Sequence, residues 1–241
     1  MTAERRYIEI SRAIREAIAV RGYRPGNRIM TERQMAEEFA VPRSVVREAV
    51  MALELDGLVE VRKGSGIYLM RQENDAATAA AAEIGPFELL QARQVLESAV
   101  AAQAARMVTK ADIVKMRDAL ALESQGIETD EGDYSGDRLF HHLIAEATQN
   151  SALVDLVDEL WDKRAASPMW ARLQTRIFDT SYRRRWLGDH QAILAALQQK
   201  NAEAAEQAMW RHLENVRTTL MELSDVDSPE FDGFIFSAAG G

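Results

Sequence analysis

The sequence predicts a mostly α-helical chain in two unequal parts. A small N-terminal unit of three helices and a β-hairpin precedes a larger, all-helical antiparallel bundle. Three observations lead there. Apolar residues recur at helical spacing along most of the chain, interrupted only by two short β-branched runs near residues 58–69. The alanine-rich stretch Arg71–Gly85 (RQENDAATAAAAEIG) lacks a core pattern and separates two periodic regions, as a linker does. Charge divides at the same place. Residues 1–70 hold 12 Lys+Arg and 10 Asp+Glu, net +2, whereas residues 71–241 are net −11. The expected organisation is 1–70, a linker over 71–85, a helical domain over 86–223 and a tail over 224–241.

The first helix follows from Tyr7, Ile10, Ile14 and Ala17/Ile18, and ends near Gly22 and the Pro25–Gly26 turn. Thr31 followed by Gln34 is a capping-box pattern, so a second helix runs from about Glu32 to Phe39. Pro42 suits a first helical position and opens a third helix, with Val46, Ala49, Val50 and Leu53 facing inward, to about Asp56. Leu58–Val61 and Ile67–Leu69 read as strands joined by the cationic, glycine-rich tip Arg62-Lys63-Gly64-Ser65-Gly66. Elements in that order read as a winged helix-turn-helix. Arg43, Ser44 and Arg47 stand near the start of the third helix, where recognition helices present side chains to base edges. Lys63 at the hairpin tip suits a phosphate or a narrow minor groove. The acidic remainder is repelled by nucleic acid, so only the first seventy residues can meet it.

Phe87 to Leu223 is helical in pattern, with helices expected near 87–108, 110–125, 137–148, 151–164, 169–178, 181–199 and 201–223. In the tail, Phe231, Phe234, Ile235 and Phe236 either dock on the domain or a second chain, or form a loosely ordered end. No apolar run reaches the ~18 residues of a membrane helix, and the N-terminus lacks a signal peptide's apolar stretch; a soluble, cytoplasmic protein with no membrane partner is expected. The absence of cysteine excludes disulfides, thiolate metal sites and cysteine nucleophiles.

The chemistry lies in polar residues on apolar faces. Asp137, His141, Ile144 and Thr148 share one helical face, while His142 is turned about 100° away. His190 lines up with Leu194 and Leu197, and His212 with Ala205, Met209 and Val216. A lone inward histidine is usually a hydrogen-bonded core residue. Three on inward faces of three helices, one with an aspartate a turn earlier, match the way bundle-core metal sites are built. Three imidazoles and one carboxylate suit one Zn²⁺, and equally Ni²⁺, Mn²⁺ or Co²⁺. Arg93 falls on a narrow face with Leu89, Leu96, Val100 and Met107, so its guanidinium points inward and needs an anion. That anion is either Glu97, one turn on, or a ligand carboxylate gripped in two-pronged fashion.

The stretch TERQMAEEFAVPRSVVREAVMALELDGLVEVRKGSGIYL resembles the winged-helix domain of the GntR family of bacterial transcription regulators. The resemblance implies operator contacts at Arg33, Arg43, Ser44, Arg47, Lys63 and Gly64. Two positions depart from the family pattern: Met30 replaces a usual proline, and Pro42 stands where a capping serine is common. Arg93-x-x-x-Glu97, Asp137-x-x-Phe140-His141, His190 and His212 resemble the effector domain of the FadR-type branch, commonly called FCD. Its metal-binding members carry Asp, His, His and His at the positions of Asp137, His141, His190 and His212. The runs GPFELLQARQVLES, SPMW, WLGDHQAILAAL, AMWRHLENV and FDGFIF are similar to the hexuronate-utilisation repressors of enteric bacteria, the UxuR/ExuR type. That likeness implies a hexuronate effector, with Arg93 as its carboxylate partner and Gln91, Trp161, Trp170 and Tyr182 as pocket candidates. The expected protein is a ligand-responsive repressor that binds a palindromic double-stranded operator as a homodimer, and is not an enzyme. The rivals are a regulator whose metal is purely structural and a metal-dependent sugar-acid enzyme. The enzyme would need a base beside the metal, and every strong inward carboxylate is already assigned to coordination.

Overall fold

Residues 5–62, 64–71, 84–129, 134–177 and 181–225 are described by the computed structural model. Ten helices and one two-stranded sheet are present among them. The N-terminal elements are α1 (Arg6–Val20), α2 (Glu32–Phe39), α3 (Arg43–Leu55), β1 (Val59–Arg62) and β2 (Gly66–Leu69). Helix α1 buries Tyr7, Ile10, Ile14 and Ile18 against α3, whose Val46, Ala49, Val50 and Leu53 have no exposed surface. The capping box forms as expected. The Thr31 hydroxyl accepts from the Gln34 amide at 3.1 Å, and the Gln34 side chain accepts from the Thr31 amide at 2.9 Å.

Pro42 corrects the expected start of the third helix by one residue. Its ψ of 144° is extended, so it flanks the helix at the cap position and Arg43 is the first helical residue. The strands pair antiparallel, from Val59 opposite Leu69 to Arg62 opposite Gly66. The tip needs Gly64 at φ +63° and Gly66 at φ +113°, a region side chains avoid. Arg28 bridges to Tyr68 as a third, single-residue rung, and a Cβ on Gly66 would stand 2.5 Å from the Arg28 side chain. Lys63 lies outside the described residues.

The remaining helices are α4 (Pro86–Met107), α5 (Lys110–Thr129), α6 (Ser135–Glu146), α7 (Ser151–Ala166), α8 (Pro168–Gln174), α9 (Tyr182–Gln198) and α10 (Ala202–Leu223). The chain divides into two compact units. One joins Met1–Phe87 with Ser167–Arg176 and Met221–Gly241; the other comprises Glu88–Ala166 and Ile177–Leu220. In the first, α8 packs on α3. Ser167 caps α8 by accepting from the Trp170 amide at 3.1 Å, and Pro168 occupies its first turn. Arg172 and Arg176 each reach the Glu54 carboxylate at 2.9 Å. The aromatic tail at 231–236 and the expected helix end at 178 lie outside the described residues.

In the second unit α6 packs on α5 and on α7, and α5 also meets α9. The α5–α6 approach is close because Gly136 has no side chain: a Cβ there would stand 2.4 Å from the Glu123 amide nitrogen. Phe140 is fully buried one turn further along. On α4, Leu89, Arg93 and Val100 are buried as the spacing predicts, whereas Met107 at the helix end is 39% exposed.

Candidate metal centre and nucleic-acid interface

Helices α6, α9 and α10 bring His141, His190 and His212 together, each no more than 2% exposed. The Nε2 of His190 lies 3.3 Å from that of His141 and 3.1 Å from that of His212. Asp137, one turn before His141, places Oδ1 3.4 Å from His141 Nε2 and 3.7 Å from His190 Nε2. All four sequence-predicted ligands therefore meet. His142 does not join them; its Nδ1 faces Asp158 at 3.0 Å.

Two of the opposite ring nitrogens are hydrogen-bonded to carboxylates, and the third faces one beyond hydrogen-bond distance. His141 Nδ1 bonds Glu97, His190 Nδ1 lies 2.8 Å from Glu123, and His212 Nδ1 stands 3.6 Å from Asp189, which accepts from Asn215 at 3.0 Å. An imidazole donating Nδ1–H to a carboxylate presents a bare lone pair at Nε2. Two imidazoles so held, a third Nε2 and a carboxylate crowded in a buried core call for a proton or a cation among them. The donor set fits a divalent metal, since bonds of about 2.0–2.1 Å to a common centre separate tetrahedral ligand atoms by roughly 3.3 Å. The carboxylates bonded to His141 and His190 are the usual support of a metal-binding histidine, and Asp189 stands near His212 in the corresponding place.

Charges in the centre are tightly coupled. Burial alone would raise the Glu97 and Asp137 carboxyls. Arg93 and then His141 overcome this at Glu97, and His190, His141, Arg164 and Arg93 do so at Asp137, so both sit below the ordinary carboxylate range. Burial also opposes charge on His190, but its bond to Glu123 raises the imidazole above its usual value. Burial and the neighbouring His190 push His212 down to about 3.

Arg93 lies beside this centre. Its Nε donates to Glu97 Oε1 at 2.6 Å, so the Arg–Glu pair is formed, and its guanidinium stacks 4.1 Å from the Trp161 ring centre. Arg164 stacks on Trp161 and Tyr134 at 5.0 and 4.7 Å, and the Tyr134 hydroxyl meets that of Tyr182 at 2.9 Å. The buried Trp161 and Trp186 indole N–H groups have no hydrogen-bond partner among the described residues. Gln91 is exposed, and Trp170 belongs to the other compact unit. Sequence reasoning did not single out Glu123, Asp189 or Arg164. Only the adjacency of Asp189 to His190 offered a signal.

The expected DNA-reading residues divide. Arg33 is 77% exposed and pairs with Glu37 at 3.1 Å; with Ala36, Glu37, Val41 and Arg43 it lines a surface hollow of about 370 Å³. Ser44 is half-buried and Gly64 exposed. Arg43 is 35% exposed and donates to Asp225 at 2.6 Å. Arg47 departs from the expectation of a solvent-facing reader, for its side chain has no exposed surface. Its Nε and Nη2 donate to Glu32 at 2.8 and 2.7 Å, and its Nη1 donates to the Met221 carbonyl at 2.6 Å and the Ser224 hydroxyl at 2.8 Å.

A winged helix-turn-helix in the same chain as a helical domain with a buried histidine centre defines a DNA-binding transcriptional regulator, not an enzyme. The chain belongs to the gntR family of bacterial regulatory proteins: the family profile matches residues 6–69, and the FCD-domain profile matches residues 88–215. It is 49% identical to the "Uxu operon transcriptional regulator" of Escherichia coli strain K12, over 98% of this chain and 95% of that one. It is 41% identical to the "Exu regulon transcriptional regulator" of the same strain, over 97% and 92%. The solved structure of E. coli McbR/YncC shares the fold with a TM-score of 0.50 at 18% identity, over 90% of this chain and 98% of that one. No helix among the described residues is long and apolar enough to cross a membrane.

Proposed function

We propose that this protein is a cytoplasmic repressor of sugar-acid catabolism that binds a palindromic operator as a homodimer and is released by a hexuronate. The observation that carries the reading is the convergence of Asp137, His141, His190 and His212 beside the Arg93–Trp161 stack. The Uxu and Exu names of the relatives and the sequence likeness to hexuronate-utilisation repressors support the choice of ligand. DNA binding is assigned to residues 1–70, the linker to 71–85 and effector binding to 86–223, although α8 and Met221–Asp225 pack with the first of these. Operator contacts fall to Arg33, Arg43, Ser44, Arg47, Lys63 and Gly64.

Asp137, His141, His190 and His212 would hold one divalent ion, zinc by ligand type, with nickel, manganese or cobalt also compatible. When bound, the ion supplies a Lewis-acidic position for a ligand oxygen. Glu97 and Glu123 orient His141 and His190 from behind, and Asp189 is placed to do the same for His212 on a small shift. Arg93 donates Nε–H to Glu97 at 2.6 Å and Nη2 to it only at 3.5 Å, so its terminal nitrogens are the ones that would turn to a ligand carboxylate. The buried indole N–H of Trp161 lacks an acceptor among the described residues, and a sugar hydroxyl would provide one. A uronate thus brings a second carboxylate to the Arg93 guanidinium and an acceptor to the indole, whereas a neutral hexose brings no charge to the arginine.

Calorimetry on the zinc-loaded protein with glucuronate, galacturonate and fructuronate tests this, with glucose and galactose as neutral controls. Binding of at least one uronate and none of the hexoses is expected. Equal affinity for both classes, or no uronate binding by fully metallated protein, overturns the reading.

A further inference from the structure

Both arginines placed to read bases from the third helix are occupied by the end of α10 and the two residues that follow it. Arg43 Nη2 donates to Asp225 at 2.6 Å, and Arg47 Nη1 donates to the Met221 carbonyl and the Ser224 hydroxyl at 2.6 and 2.8 Å. Asp225 also lies 3.6 Å from Arg47. These acceptors fall within five residues, where α10 ends at Leu223. The last carbonyls of a helix have no partner inside it and form the negative end of its dipole. A carbonyl, a hydroxyl and a carboxylate gathered there offer arginine what a guanine edge and a phosphate offer: paired acceptors with negative charge.

Holding Arg47 in the core does not by itself require this contact. Glu32 already takes Nε and Nη2, so the α2–α3 ion pair is complete without residues 221–225. What those residues add is the coverage of Nη1 and the engagement of Arg43. An arginine with no exposed surface cannot touch a base, so the packed arrangement and base readout by Arg47 exclude one another.

We infer that Met221–Asp225 is an intramolecular latch over the recognition helix, a mimic of DNA that the operator must displace. Operator affinity is then lowered by the fraction of molecules in which the latch is closed. The latch also has a covalent link to the effector domain, because α10 carries His212 nine residues before Met221. The latch rests on the operator contacts proposed for Arg43 and Arg47, and is independent of the effector's identity and of bound metal.

Binding of a fluorescent, mixed-sequence 30-base-pair duplex to full-length protein at low salt tests the latch. Asp225→Asn and Ser224→Ala should each tighten binding, on the order of tenfold for Asp225→Asn. Glu222→Gln removes a charge from an exposed position on the same turn and should change affinity less than about twofold. Amide hydrogen exchange of wild-type protein needs no variant: exchange at 221–225 should speed up when the duplex is added. The latch stands only if both results are obtained. Wild-type or weaker binding by the two variants, equal effects of Asp225→Asn and Glu222→Gln, or exchange at 221–225 that is unchanged or slowed by DNA would each overturn it.

Discussion

At the residue scale the centre depends on direction as much as on identity. His141 and His142 are neighbours in sequence, yet one ring is buried among its partners and the other pairs with Asp158 at the surface. His190→Ala and His212→Ala should each lower zinc content measured by elemental analysis after chelator-free purification, while His142→Ala should leave about one ion per chain. Glu123→Gln keeps the size of the side chain but loses the carboxylate behind His190, and should weaken zinc about 10–100-fold. The convergence of Asp137 and the three histidines was legible because a four-residue spacing and two apolar stripes fix which way a helical side chain points. Glu97 was legible only as the partner of Arg93, and Glu123 was not legible. A carboxylate's role here comes from a neighbour on another helix, and nothing local separates Glu123 from an ordinary solvent-facing acid. The sign of the pH response follows from the imidazoles. His212 is pushed down to about 3, so unfolding lets it take up a proton near its ordinary value of about 6.5. Its contribution is present above that value and is lost as pH falls; the raised His190 acts in the opposite sense. Zinc requires unprotonated imidazoles, so its effect has one sign. The rise in Tm on adding zinc should shrink between about pH 7.5 and about pH 5.5, and a constant rise would contradict coordination by these histidines.

At the element scale, periodicity and capping chemistry located the helices closely. Thr31 and Gln34 defined α2 because a capping box is a local exchange of hydrogen bonds that needs no tertiary partner. Pro42 misled by one position, since proline's fixed φ is equally at home at the cap and in the first turn, and only ψ distinguishes them. The partners of each helix were less legible. An apolar stripe shows that a face is buried, not what buries it, so α8 read as part of the effector bundle although it packs on α3. The α5–α6 contact makes a sharper test of how an element sets the site. Gly136→Ala would drive a methyl against the α5 backbone at Glu123, which cannot swing aside as a side-chain tip can. The substitution should cost on the order of 1–3 kcal/mol by thermal unfolding of metal-free protein. It should also weaken zinc, because the strand of contacts from α5 to His190 runs through Glu123. Loss of stability with unchanged zinc affinity would separate the packing of α6 from the support of His190.

At the scale of the whole molecule, the charge asymmetry pointed correctly to the nucleic-acid-binding end, because a net +2 segment is the only part that polyanionic DNA does not repel. Linear order could not show that Met221–Asp225 fold with that segment, since their contacts with Arg43 and Arg47 span more than 170 positions. Regulation is a statement about the whole chain, and it is reciprocal. If a hexuronate lowers operator affinity by some factor, operator DNA must lower hexuronate affinity by the same factor. The proposal therefore demands two matching measurements: calorimetry of the uronate with and without a duplex selected by the protein, and duplex binding with and without the uronate. Arg93→Ala should abolish the uronate's effect on DNA while leaving DNA binding itself intact, because Arg93 lies on α4 in the helical unit and outside the gntR-matched segment. Arg93→Lys should also weaken the uronate, since an ammonium cannot reproduce a planar two-pronged grip. Chelation divides the remaining alternatives. A regulator whose metal only holds the fold should lose its helical circular dichroism when stripped, whereas a sensor should stay folded, keep its DNA affinity and lose only its response to the uronate.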